Sequence, residues 1–129
     1  MKDQWSEWTD YQALAHCWEP AVYRFRLARN GKPLAIQRLL GEDKDGILSV
    51  GETGSMESRR KKFCDAIQLD GYGHPAGKHL GLVAEFTLLR RRFRNPSFQY
   101  QFLRLKSKQA AKQKQDELLL SYILRFGEL

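Results

Sequence analysis

The spacing of apolar residues changes sharply at Gly51, and that change limits what this chain can fold into more than any other feature. Before it, "AVYRFRLA" (21–28) alternates as a strand does, and "GILSV" (46–50) is a short apolar run suited to pair with it as an antiparallel neighbour. "RNGKP" follows the first of these with an Asn-Gly turn signal, and "LAIQRLLGEDKDG" (34–46) reads as an irregular connection. After Gly51 the period becomes helical. Thr53 or Ser55 can cap a helix, and Glu57 lies in the first turn where the helix dipole favours a carboxylate. Met56, Phe63 and Ile67 then mark one amphipathic helix to about Leu69, with Arg59 projecting from its second turn.

The rest of the chain divides by the same test. Trp5, Trp8, Tyr11, Leu14 or Ala15, and Trp18 recur every three to four residues until Pro20, which predicts an amphipathic helix over 1–19 packed on a core formed by 20–129. "DGYGHPAG" is a Gly/Pro-rich loop, and "KHLGLVAEFTLLRRRF" is a further helical candidate. "NPSFQYQFLRLK" restores a period of two through Phe98, Tyr100 and Phe102, predicting a third strand. "SKQAAKQKQDELLLSYILRF" is a long last helix with Ser107 as its cap and Gly127 beyond its end. The expected class is α+β, a small, mostly antiparallel three-stranded sheet flanked by helices.

Charge narrows the partner. Twenty-two Lys and Arg against fifteen Asp and Glu give a formal +7, with the excess in runs: Arg59-Arg60-Lys61-Lys62, Arg90-Arg91-Arg92 with Arg94, and Lys106-Lys108-Lys112-Lys114. Clustered cations suit a polyanion, since each neutralised phosphate releases condensed counterions, so DNA, with RNA as the alternative, is the expected partner. Solvated helix faces are the plainer explanation of any single run. No apolar run is long enough to span a bilayer, and the first residues lack the pattern of a secretory signal. Cys17 and Cys64 form no CxxC pattern, so a reducing cytoplasm with both thiols buried is the expected setting.

The pairing of "AVY" (21–23) with "SVG" (49–51), and Arg59 ten positions after Ser49, resembles the GIY-YIG nuclease superfamily over about residues 20–129. "DELLLSYILRFGEL" is similar to the helix ends of its small stand-alone members. The resemblance implies a metal-dependent DNA endonuclease, a hydrolase using Mg²⁺ or Mn²⁺, with Tyr23, Ser49 and Arg59 catalytic and Glu117 the metal ligand. Ala21 stands where the family has its first Gly, and Ser49 where it has its second Tyr; a serine can bond water or phosphate but lacks the phenol's reach and acidity. A catalytically degenerate nucleic-acid-binding member is therefore the second reading.

The chemistry of these side chains is consistent with those roles. A neighbouring guanidinium favours an ionised phenol at Tyr23, and the planar fork of Arg59 matches phosphate oxygens. A carboxylate such as Glu117 is the hard ligand Mg²⁺ takes, although Glu117 can equally pair with Lys114 on its own helix. Glu85 is a rival ligand, and His74 and His79 are candidate proton carriers. Arg60, Lys61, Lys62, Arg90, Arg91 and Arg92 would contact the nucleic-acid backbone.

Overall fold

A computed structural model describes residues 4–68 and 97–129. In chain order the elements are β1 (Thr9–Asp10), β2 (Ala21–Arg29), β3 (Lys32–Pro33), β4 (Ile36–Arg38), β5 (Gly41–Asp43), β6 (Ile47–Thr53), α1 (Met56–Gln68), β7 (Ser97–Arg104) and α2 (Lys108–Phe126). The class is α+β with an antiparallel sheet, as expected, but the sheet is larger than three strands. Its order is β1-β7-β2-β3 with β6 also paired to β2, and β4 and β5 form a separate two-stranded ladder. Residues 36–43 are thus a small hairpin and not an irregular connection.

β2 holds the centre because it can be buried on both sides: Ala21, Val22, Tyr23, Phe25, Leu27 and Ala28 are all 4% exposed or less. Its hairpin to β3 closes through Asn30 (φ 53°) and Gly31 (φ 77°), the positive-φ pair of a two-residue turn that matches strand twist. On one face, Phe25 stacks on Phe63 of α1 with centroids 3.9 Å apart, and Tyr11, Phe98 and Tyr100 surround this contact. α2 is bounded as its sequence predicts: Ser107 accepts from the Ala110 amide at 3.0 Å, and Gly127 (φ 84°) returns its N–H to the Ile123 carbonyl at 2.7 Å.

The predicted helix over 1–19 is overturned for the described residues 4–19, which are extended or turn apart from β1. The amides of Ser6 and Tyr11 donate to the carbonyls of Phe102 and Phe98, so the segment runs beside β7. The tryptophans that suggested a helical stripe lie instead on arginines of β2: Trp5 is 4.2 Å from the Arg24 guanidinium and Trp8 is 4.1 Å from that of Arg26. Gln101 and Gln99 of β7 accept from the Nε atoms of Arg24 and Arg26 at 2.8 and 2.9 Å. A polar ladder on the sheet thus anchors the aromatics. The segment does pack on the core, and Cys17 and Cys64 are both buried and free, as expected.

The same segment completes α1. A helix begins with backbone N–H groups that have no partner within it, and here the Met56 and Glu57 amides donate to the carbonyls of Glu19 and Cys17. Glu57 in turn accepts the Ala15 amide at 2.8 Å. Thr53 and Ser55 hydrogen-bond within the turn, Ser55 Oγ donating to Ser58 Oγ at 3.1 Å.

Candidate functional site

The register of β2 and β6 sets Tyr23 opposite Gly51 and Phe25 opposite Ser49, so these four positions share the face that α1 covers. A Cβ at Gly51 would collide with the Tyr23 ring and hydroxyl. Without one, the ring lies flat over the strand and its oxygen reaches Arg59, whose Nε donates to Tyr23 Oη at 2.8 Å. Tyr23 itself is 4% exposed. It holds the half-buried Arg59 guanidinium at Nε.

Arg59 lines an open cleft of about 320 Å³ where β6 turns into α1. The other walls are Glu52, Thr53, Gly54, Ser58, Lys62 and Lys108, the last being the first residue of α2. Three cationic residues from two helices therefore line one space together with Thr53, Ser58 and Glu52. Such a space suits a phosphate group, which takes several charge-assisted hydrogen bonds at once. Lys108 belonged in sequence to a run of lysines with no feature to single it out; the cap at Ser107, which fixes where α2 begins, was the signal that could have done so.

The remaining predicted site residues separate. Ser49 is half-buried and does not line the cleft. Glu117 does not line it either: its side chain is 62% exposed and lies 3.8 Å from the Lys114 ammonium. Among the described residues no group of three or more His, Cys, Asp or Glu could hold a metal ion. The acidic residue among those lining the cleft is Glu52, whose Oε2 is buried and has no hydrogen-bond partner among the described residues.

The basic run on α1 is not one surface. Lys61 is exposed and pairs with Asp65 at 3.2 Å, while Lys62 faces the cleft. Arg60 corrects the expectation that it contacts nucleic acid, because it is 5% exposed and wholly occupied inside. Its Nε and one terminal nitrogen donate to the two oxygens of Glu57 at 2.9 and 2.6 Å, and the other donates to the Tyr11 carbonyl at 3.0 Å. Hydrogen bonding to Arg60 holds the Glu57 carboxyl below its usual range, and the same bonds raise the guanidinium's pKa. Arg90, Arg91, Arg92, His74, His79 and Glu85 lie outside the described residues.

Comparison with protein-family models, with curated proteins and with solved structures yields no match to this chain. No helix among the described residues is long and apolar enough to cross a membrane.

Proposed function

We propose that this chain is a divalent-metal-dependent endonuclease of the GIY-YIG kind, hydrolysing phosphodiester bonds in DNA bound at the cleft where β6 meets α1. One observation carries the reading: Arg59 is held by Tyr23 at 2.8 Å, through a contact that needs glycine at 51, on the wall of a cleft it shares with Lys62 and Lys108. Phosphoryl transfer gains most from positive charge fixed in advance where negative charge develops. A guanidinium tied down at Nε meets that requirement better than a free lysine, whose flexible stem must be ordered on binding. Tyr23 is a positioning residue in this scheme, its oxygen accepting from Arg59 and setting the plane of the fork. Lys62 and Lys108 bind neighbouring phosphate oxygens and hold the strand in register, while Ser58, whose hydroxyl accepts from Ser55, keeps its own proton to donate at the same wall; the Thr53 hydroxyl is already given to the Ser55 carbonyl.

A divalent cation, when bound, would supply Lewis-acid charge at the scissile phosphate and make a water more acidic. Glu117 is the carboxylate assigned to that ion by the resemblance, and it lies exposed on α2 beside Lys114 and outside the cleft's lining, where Glu52 is the acidic residue. The test is incubation of supercoiled and single-stranded DNA with the full chain in Mg²⁺ or Mn²⁺. Metal-dependent nicking that disappears in Arg59→Ala is expected, and absence of nicking in both metals defeats the reading.

Ser49 and the position of Glu117 favour a second reading, a protein of the same architecture that binds nucleic acid without cutting it. It predicts salt-dependent DNA affinity that Arg59→Ala weakens, with no cleavage under any metal.

A further inference from the structure

Five large apolar side chains stand out of the fold near the end of α2. Leu120, Ile123 and Leu124 lie on its outer side, about one turn apart, and are 60%, 44% and 72% exposed. Leu39 and Leu40, at the turn of the β4–β5 hairpin, are 75% and 68% exposed. The two groups adjoin, because a Cβ at Gly127, one turn beyond Leu124, would lie 2.9 Å from Leu40 Cγ and 3.1 Å from Leu39 Cβ. Together they leave on the order of 500 Å² of apolar residue surface open to water, near the top of what a monomer exposes in one patch.

The hairpin tip is firmly held. The Leu40 amide donates to the Phe126 carbonyl at 3.0 Å and the Leu39 amide to Glu128 Oε2 at 2.9 Å. At its base Arg38 donates to Tyr122 Oη at 3.2 Å and to the Ile47 carbonyl at 2.9 Å, and the Tyr122 hydroxyl donates to buried Asp43. A surface fixed in this way has little ordering entropy left to lose when it is covered.

The spacing of the patch suits a second copy of itself. Leu120 lies about 6 Å before Leu124 along the helix axis, and the tip leucines lie over Gly127, about 5 Å beyond it. A two-fold axis at Leu124 therefore sets the tip of each copy over Leu120 of the other, with the two Leu124 side chains meeting between them. About 500 Å² of apolar surface from each copy, once a polar rim is added, approaches the roughly 800 Å² a side of a standard interface. We propose that this chain forms a homodimer through antiparallel packing of α2 on its copy at Leu120 and Leu124, each end closed by the hairpin tip of the other chain. Lys108 lies about 24 Å from Leu124 along the helix, so the dimer leaves both clefts open. The inference does not depend on what those clefts bind.

Sedimentation velocity of the full chain over a range of concentrations, without nucleic acid, is the test. The parent should show a species of twice the chain mass whose share rises with concentration. Leu124→Glu, which sets two like charges against each other at the axis, should weaken self-association by about a hundredfold or more, and Leu40→Glu, on the tip, should weaken it comparably. Both side chains face solvent in the single chain, so each variant should keep the parent's thermal melt; if one fails to fold, the other decides. Leu14→Glu, which replaces an exposed leucine of the first segment, should dimerise as the parent does. A parent that stays monomeric at every concentration overturns the proposal, whether another part of the chain or a different protein then covers the leucines. So does a dimer that survives either patch substitution in a folded variant, or one that Leu14→Glu weakens equally.

Discussion

Arg59 Nε lies 2.8 Å from Tyr23 Oη because Gly51, the residue paired with Tyr23 across the ladder, has no side chain to lift the ring from the strand. The glycine is thus set by a distance on the neighbouring helix. Gly51→Ala should force the ring aside and cost about 1–3 kcal/mol, as overpacking of a filled site does. Urea denaturation checks the loss of stability, and a folded variant should also lose the Arg59-dependent part of DNA binding.

Tyr23→Phe separates the ring from the hydroxyl. Packing against Phe25, whose centroid is 5.5 Å away, is retained, while a hydrogen bond to a charged group is lost. A stability loss of about 1.5–3 kcal/mol is expected. In the proposed endonuclease the same change should lower the cleavage rate by about a hundredfold, because Arg59 is no longer aimed. Single-turnover cleavage with saturating protein reads this directly, and an unchanged rate would remove Tyr23 from the site.

Arg60 and Lys62 should part company in experiment although they are two residues apart. Removing Arg60 leaves Glu57 charged and buried, with the Tyr11 carbonyl also deprived of its donor, so Arg60→Ala should cost about 3–5 kcal/mol. Lys62→Ala should leave stability within about 0.5 kcal/mol but reduce the salt slope of DNA binding by about one. Thermal melts and a salt titration of affinity distinguish the two outcomes.

Acid should loosen the junction of the first segment with α1. Glu57 has a lower pKa folded than unfolded, chiefly through its hydrogen bonds from Arg60, so its contribution is fully present above the ordinary carboxylate range near pH 4.3 and is lost as pH falls through the depressed folded value. Other carboxylates titrate over the same interval, so the parent is compared with Glu57→Gln. Between about pH 5 and pH 3 the urea midpoint of the parent should fall more steeply than that of the variant. Parallel curves would mean that the Arg60 contact does not hold Glu57 in its charged form.

Local chemistry wrote the clearest parts of the fold into the chain. Asn30-Gly31, Ser107 and Gly127 each meet a backbone requirement that few other residues meet, and each lies where its turn or cap was expected. β2, β6 and β7 were legible because their alternating side chains face a common core. The first segment was misread because Trp5 and Trp8 fit a helical period equally well as two points on a chain crossing a row of arginines. Only the partners Arg24 and Arg26, some twenty residues away, decide between them. For the site, Tyr23 and Arg59 could be matched through the spacing around Gly51, but Arg59 and Arg60 are adjacent, and helix rotation alone sends one to the cleft and the other to Glu57. The Glu57–Arg60 spacing of three was a visible sign of that pairing. The membership of Glu52 and Lys108 in one cleft depends on where two distant elements end, which no short pattern records.

The long reach of the first segment bears on how the chain is made. Ser6 hydrogen-bonds Phe102, ninety-six positions away, and the amides that open α1 are satisfied by residues lying about forty positions before them. During synthesis at about 5–20 residues per second the amino-terminal segment must wait several seconds for β7 to be translated before it can seat. Until then Trp5 and Trp8 have no β7 beside them, and residues made well before β7 are among the last to find their place.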